Sequence, residues 1–532
     1  VVITGVLLSV GVWFRLKQLP YHQNLWAIDW LGYYEQQARD LHNFNFAGYL
    51  LRWEGLHPPL SGILHGGMAV AGLGLPIHWA ATITATLAGP LILGLAGARR
   101  LGGAALILSL LWVGLSPLQA NYGLNTTPYP WSLLFVGGST ALFIRMLEGQ
   151  SGRTPLLAGL LSAAAIQVHV LAFAVVLAQA IVLASAGPTM RPGRGRAANP
   201  WWITVSASSA VLCWHAVAMT RDSWTFHVSE ASGGWFGEVT LALANRFGDP
   251  TDKYLLVSVV LFGIISGLLR GPRVLIALLL LEALGTLLAL CLFFELNVAD
   301  PRLVHYYAMP QMLFLVAGAW GIAALASSLQ SLRSRWLLIA MTVLLSGPWL
   351  LSTIERNQQR EQHASEQIRK AAGIQVRALF EAAEQGDVVA YLWDNQFLND
   401  ESDHLDPVAA LWPTSRLGRP CFDIEMPPHH CNTYAGSHFF FSPSAQTGRD
   451  GDQEIPFAAM EEGFRRMINL AAPPGQTVII VAPGKDAPPR PWPMERWLTE
   501  LGAVVSEPLA GGTLIFTVPS GIRVSPPPPL HP

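Results

Sequence analysis

The sequence predicts a polytopic α-helical membrane protein of about 11 transmembrane helices with a C-terminal extracytoplasmic α/β domain. Three observations predict it. The chain is 51% hydrophobic and only 13% charged, where a soluble domain carries about 25% charge. Apolar runs such as "HWAATITATLAGPLILGLAGARR" and "PRVLIALLLLEALGTLLALCLFF" reach the ~20 residues that cross a bilayer core of about 30 Å. After residue 353 the texture changes. Helix-like "SEQIRKAAGIQVRALFEAAEQ" and "MEEGFRRMINL" alternate with strand-like "DVVAYLW", "HFFFSPS", "QTVIIVAP" and "TLIFTVP". That alternation predicts an α/β domain with a mainly parallel sheet over 354–518. The tail 519–532, ending "VSPPPPLHP", has no core-forming content and is expected to be disordered. Net charge is −2, so no global field points to nucleic acid. The chain opens on Val1 inside an apolar run, which reads as a trimmed start that hides any targeting signal.

Within the membrane domain, 1–353, spans are expected near 1–14, 78–98, 101–117, 127–147, 155–168, 170–187, 200–219, 254–270, 273–294, 303–327 and 335–353. A further apolar segment, 57–75, holds His57, Pro58, Pro59 and His65; it either crosses or lies along the interface. Basic turns set the orientation, because cytoplasmic loops collect Lys and Arg. Arg99 with Arg100, Arg145 with Arg153, "MRPGRGR" (190–196), Arg270 with Arg273, and Arg333 with Arg335 form such turns. All are cytoplasmic together only if 155–187 crosses twice. That run is short for two full spans and is broken at Gln167-Val168-His169. A pair of short helices meeting at a polar break satisfies both facts. The loops near 118–126, 169, 220–252 and 295–302 then lie outside, as does everything after about 354. The first loop's charges, Arg15, Lys17, Arg39 and Arg52, do not place 18–56 on either side.

The chain has four Cys. Cys213 and Cys291 fall inside apolar spans and read as packing residues. Cys421 and Cys431 lie in the domain placed outside, where a disulfide is expected, contributing about 2–3 kcal/mol by loop closure. The competing use of "HHC" (429–431) with His438 as a metal site lacks the paired spacing of structural zinc.

The first loop carries the chemistry-bearing pattern. In "NLWAIDWLGYYEQQARDL" (24–41) the apolar positions 30, 31, 34, 38 and 41 follow helical spacing, with Gln36, Gln37, Arg39 and Asp40 opposite. Such a helix lies in the interface plane, with Trp and Tyr at headgroup depth. Asp29 sits at its N-terminal end, where a negative charge is favoured. Two readings stay open there: Asp29 caps the helix, or it is catalytic. Further on, "HPPL" (57–60) fixes the backbone and removes two donors. His57 is then either a surface residue beside a turn or a residue held at the level of lipid phosphate.

These elements in this order resemble the GT-C superfamily of membrane glycosyltransferases. The branch most similar contains the dolichyl-phosphate-mannose–protein mannosyltransferases and the lipid A aminoarabinose transferases. "GARRLGGAALILSLLWVGLSPLQANYG" resembles the family's basic inner turn and Ser-Pro span. "GLLSAAAIQVHVLAFAVVLA" resembles its broken helix pair, and "DPRLVHYYAMPQMLFLVAGAW" its late Arg-Tyr…Pro span. The resemblance covers about residues 1–350. It implies that the first loop with its interfacial helices, 18–76, is external. It also implies transfer of a sugar from a polyprenyl-phosphate carrier to an acceptor hydroxyl at the outer face.

On that reading Asp29 is the general base. Arg302 and His305 are phosphate ligands, with His57 and His169 behind them. Tyr33, Tyr34, Glu54 and Asn121 are assigned to the acceptor cleft, which loop 220–252 with Trp224, Trp235 and Arg246 helps shape. Competing readings make Arg302 a helix-end residue paired with Asp300 and His169 a packed imidazole bonded to a backbone carbonyl. Tyr306 and Tyr307 are expected in the interfacial aromatic belt. The chain departs from the family at Asp29-Trp30, where an Asp-Glu pair is common. Glu35 and Glu54 are loose substitutes, and Asn121 and Asn125 stand in an outer loop without acids. No required cofactor is therefore expected, and a divalent cation, though possible, finds little support in these residues. Expected partners are a polyprenyl-phosphate-linked sugar, an acceptor protein, lipid or glycan, and the bilayer of a bacterial inner membrane. The rival classes are a lipid-linked-sugar transporter or flippase, which would show repeat symmetry, and a non-catalytic scaffold.

Overall fold

The computed structural model describes residues 2–18, 60–70, 75–122, 128–150, 152–186, 199–221, 250–293 and 306–371, together with six strands between 388 and 518. The chain divides into two compact units. One comprises Val1–His22, Asp40–Leu64 and Pro76–Gln359; the other comprises Gln23–Arg39, His65–Leu75 and Arg360–Pro532.

A helix stands at every expected span. Helix α1 is Val2–Gln18, and α2 is Leu60–Val70. With 11 residues, α2 rises about 16 Å at 1.5 Å per residue, half of what a crossing needs. Helix α3, Leu75–Leu101, ends in Arg99 and Arg100. Gly102, at φ 81, turns the chain into α4, Gly103–Ser109; this left-handed backbone suits glycine. Helix α4 runs on into a π-helical turn, Leu110–Gly114, and then α5, Pro117–Tyr122. Helix α6 is Pro128–Leu147. The segment 155–187 forms two helices, α7 Thr154–Val168 and α8 Ala172–Ala186, separated at His169 as expected. Then come α9 Asn199–Arg221, α10 Pro250–Arg270, α11 Arg273–Phe293, α12 Ala308–Ser328 and α13 Leu332–Ala371.

Among the described residues five helices are long and apolar enough to cross a membrane: Ile77–Leu101, Pro128–Leu147, Arg273–Leu290, Ala308–Ser328 and Leu332–Leu351. The distribution of polarity is that of a lipid-solvated bundle. Leu261, Phe262, Ile265 and Leu269 of α10, and Leu281, Leu284 and Leu288 of α11, face outward, whereas Thr140, Gln179 and Glu282 are buried. Water would penalise the first set, and hydrocarbon would penalise the second if it were turned outward.

Helix α12 is the centre. Its apolar stretch is 89% buried, against 17% for α13. Lipid gives apolar helices little reason to associate, so close backbone approach must hold them. Between α10 and α12 it does. A Cβ on Gly321 would overlap the Gly263 carbonyl, and one on Gly263 would overlap the Gly318 carbonyl. The α3–α6 contact repeats the device: a Cβ on Gly137 would lie 2.7 Å from the Gly89 oxygen. Where α3 ends and α6 ends, Arg100 forms an ion pair with Glu148, so two of the basic turns meet at one end of the bundle. The exposed Cys213 corrects the expectation that it packs inside.

In the other unit a six-stranded sheet has the order β2-β3-β1-β4-β6-β5. The strands are β1 Val388–Leu392, β2 Thr433–Ala435, β3 His438–Phe441, β4 Val478–Ala482, β5 Val504–Val505 and β6 Leu514–Val518. The expected mainly parallel sheet is mixed instead. Only β1 pairs in parallel, with β3 and β4; the pairings β2–β3, β4–β6 and β5–β6 are antiparallel. The short β2 and β5 supply the difference, since each adds an antiparallel edge. The expected helix at 460–470 and the Cys421–Cys431 pair lie outside the described residues.

Candidate functional site

The break between α7 and α8 builds the site's centre. His169 has extended backbone, φ −152 and ψ 126, and ends α7 with its N–H on the Ala165 carbonyl. Its own carbonyl accepts from Ala172 N at 2.9 Å and starts α8. Its Nδ1 accepts from the Leu171 backbone N–H at 3.1 Å. A nitrogen that accepts carries no proton, so the neutral ring carries its proton on Nε2.

Two tyrosines enclose the ring. Tyr129, in the first turn of α6, has its centroid 5.1 Å from His169; Tyr306, in the turn before α12, lies 5.9 Å away. The tyrosines meet edge to face at 5.7 Å and 88°, a favoured aromatic geometry. Tyr129, Ser132, His169, Leu171, Tyr306, Ala308 and Met309 line a cavity of about 10 Å³, room for one water. Tyr307 is 2% exposed. Tyr307 therefore packs within the bundle, which corrects its placement in an aromatic belt, while Tyr306 is half-buried against Tyr129 and His169.

A row of buried amides and hydroxyls adjoins this cavity through Ala308. Gln119 Nε2 donates to the Ala308 carbonyl at 2.6 Å, and Ser116 Oγ to Gln311 Oε1 at 2.9 Å. One turn earlier, Arg15 is fully buried in α1, although the sequence reading counted it as a first-loop charge. Its Nη1 donates to the Gly11 and Gly114 carbonyls at 2.9 and 2.8 Å, and its Nε to Thr86 Oγ1 at 3.2 Å. The π-helical turn shifts the backbone bonding register at Gly114, leaving a carbonyl for the guanidinium.

The structure thus brings together residues from loops placed on one side by charge: Ser116 and Gln119, Tyr129, His169, and Tyr306 to Met309. Of the sequence-assigned site residues it describes His169, and it places Asn121 in the last turn of α5. Asp29, Tyr33, Tyr34, Glu54, His57, Arg302 and His305 lie outside the described residues. The sequence reading missed Tyr129, Gln119 and Gln311, which meet His169 or one another only after the helices assemble. It also missed Glu282, for which a signal existed: a lone acid in the apolar run "RVLIALLLLEALGTLLALCLF".

No protein-family profile matches the chain, and no curated protein matches it. Two solved structures do. A crystal structure of ArnT from Cupriavidus metallidurans bound to undecaprenyl phosphate is 12% identical with a TM-score of 0.51, covering 97% of this chain and 98% of that one. The apo crystal structure of the same protein is 13% identical with a TM-score of 0.49, covering 92% and 93%. The chain has a polytopic membrane fold similar, over nearly its whole length, to that of ArnT.

Proposed function

We propose that this protein is an integral membrane glycosyltransferase that moves a sugar from a polyprenyl-phosphate donor to an acceptor on a protein, lipid or polysaccharide. The observation that carries this reading is the convergence of Tyr129, His169 and Tyr306 at one end of a bundle similar in fold to ArnT, whose solved structure holds undecaprenyl phosphate. The reaction needs a base for the acceptor hydroxyl, donors for the departing phosphate and an apolar path for the carrier chain.

Asp29 is the proposed base, and Arg302 with His305 the proposed phosphate ligands, supported by His57. His169 joins them through Nε2–H, the tautomer that its bond from Leu171 selects. The water-sized cavity that His169 lines suits a single phosphate oxygen or its bound water. Tyr33, Tyr34, Glu54 and Asn121 are proposed for the acceptor cleft. The domain 354–518 is proposed to stand outside, together with loop 18–76.

The test is direct. Purified protein is incubated with a panel of polyprenyl-phosphate sugars, and release of free polyprenyl phosphate is followed. Acceptor-dependent release supports transfer. Movement of intact donor across a liposome bilayer without release would replace this reading with a transporter; binding without either would indicate a scaffold.

A further inference from the structure

A second polar cluster lies beneath the cavity, and the proposed chemistry does not use it. Glu282, midway along α11, is fully buried. Thr140 Oγ1 of α6 lies 3.0 Å from each of its carboxyl oxygens. Gln179 Nε2 of α8 donates to Glu282 Oε1 at 2.9 Å, and Ser162 Oγ of α7 donates to Gln179 Oε1 at 3.1 Å. One turn along α11, Thr286 Oγ1 donates to the Glu282 carbonyl at 2.8 Å and lies 4.0 Å from Met309 Sδ of α12. Among the described residues no basic side chain pairs with the carboxyl group.

Of the helices joined here, α6, α7 and α8 carry cavity walls, and α12, touched through Thr286, carries the rest. Helix α6 brings Tyr129 and Ser132, the α7–α8 break brings His169 and Leu171, and α12 brings Ala308 and Met309. Continuous helical backbone does not set the angle between α7 and α8, because the chain is extended at His169. Hydrocarbon does not set it either, since lipid tails are as apolar as leucine. The Ser162–Gln179–Glu282–Thr140 chain spans α7, α8, α11 and α6 and supplies directional contacts among them.

The geometry points to Glu282 as a positioning residue: its carboxyl group clasps the α7–α8 pair to α6 and α11 and so sets where His169 stands in the cavity. The role is hydrogen bonding. Glutamine in its place keeps an acceptor for Gln179 and gains a donor for Thr140, whereas leucine keeps neither.

The inference rests on the proposed transfer only for its activity readout, and the experiment carries a second readout independent of it. Glu282→Leu and Glu282→Gln are prepared in the full chain, each also combined with His169→Cys. Thermal unfolding sets a working temperature at which all variants are folded; if Glu282→Leu does not fold, Thr140→Val, which deletes one hydroxyl, takes its place. Release of polyprenyl phosphate is then measured, along with the rate at which N-ethylmaleimide modifies the thiol introduced by His169→Cys, resolved by peptide mass spectrometry.

Displacement of a reacting group by 1 Å can cost about 10²-fold in rate. Glu282→Leu is therefore expected to lower turnover by that order and to shift the thiol's reactivity several-fold. Glu282→Gln is expected to stay near the parent on both. Loss in Glu282→Gln equal to that in Glu282→Leu would overturn the proposal, because the acid itself would then be in use. Unchanged turnover and reactivity in folded Glu282→Leu would also overturn it. If the parent protein releases no carrier phosphate from any donor, the transfer reading fails alone. The thiol then decides: a shift with leucine but not glutamine supports the clasp, and no shift overturns it.

Discussion

At the residue scale, Asp29, Arg302 and His169 are expected to fail differently when altered. Removing a general base costs about 10²–10⁴ in rate, and Asn cannot take a proton. Asp29→Asn should nearly abolish turnover while donor binding persists. Arg302→Ala deletes a charge-assisted phosphate contact worth about 1.5–3 kcal/mol, so donor affinity should fall by about 10- to 100-fold. Initial rates and direct donor titration separate the two. If folded Asp29→Asn transfers sugar within a few-fold of the parent, Asp29 is a helix cap and the base lies elsewhere. His169 has a structural duty as well, because its Nδ1 satisfies the Leu171 N–H. His169→Ala should destabilise by about 1–3 kcal/mol, the cost of a buried donor left unsatisfied. His169→Asn, whose side-chain oxygen can accept in nearly the same place, should destabilise less. Thermal unfolding in detergent checks the order; equal losses would show that the Nδ1 contact contributes nothing.

At the element scale, the α10–α12 crossing depends on glycine. A Cβ at Gly321 meets the Gly263 backbone, which cannot swing aside, and overpacking typically costs about 1–3 kcal/mol. Gly321→Ala should lower the unfolding temperature, while Gly5→Ala, with nothing within 4 Å of an added Cβ, should not. An unchanged melting curve for Gly321→Ala would mean that the helices separate at no cost. The helices themselves were legible in the sequence because length and apolarity define a membrane helix without reference to its neighbours. The break at His169 was legible for the same reason: charge demanded two crossings of a run too short for two full spans. Tyr129 and Tyr306 were not legible as its partners, since their meeting depends on how α6, α7 and α12 are placed. The π-helical turn at Leu110–Gly114 left no periodic signal in so apolar a run. Strands β1, β3, β4 and β6 showed as β-branched and aromatic runs; β2 and β5, of 3 and 2 residues, are too short to carry a pattern, and their absence made the sheet read as parallel.

At the scale of the whole molecule, α6 fixes an axis from which sidedness can be argued. Tyr129 in its first turn lines the cavity, and Glu148, just past its last residue, pairs with Arg100. Its 20 residues separate the two by about 30 Å, the thickness of a bilayer core. By the bias of basic residues, the end that holds Arg99, Arg100, Arg145 and Arg153 is the expected cytoplasmic one, and the cavity is then proposed to lie at the other face. On the proposed reading, the first loop that carries Asp29 shares the cavity's side of the membrane, and the domain after residue 353 is proposed to stand on that side too. A disulfide between Cys421 and Cys431 is the outcome expected of that placement. Alkylation mass spectrometry of unreduced protein should find both thiols blocked, and two free thiols would contradict it. The loop is tested with Gln36→Cys and a membrane-impermeant maleimide, applied in turn to spheroplasts and to inside-out vesicles, the modified peptide being identified directly so that the native cysteines can stay. Modification in spheroplasts is the expected result. Modification only in inside-out vesicles would place Asp29 on the face opposite His169, and the proposed base and phosphate ligands could not then act on one donor.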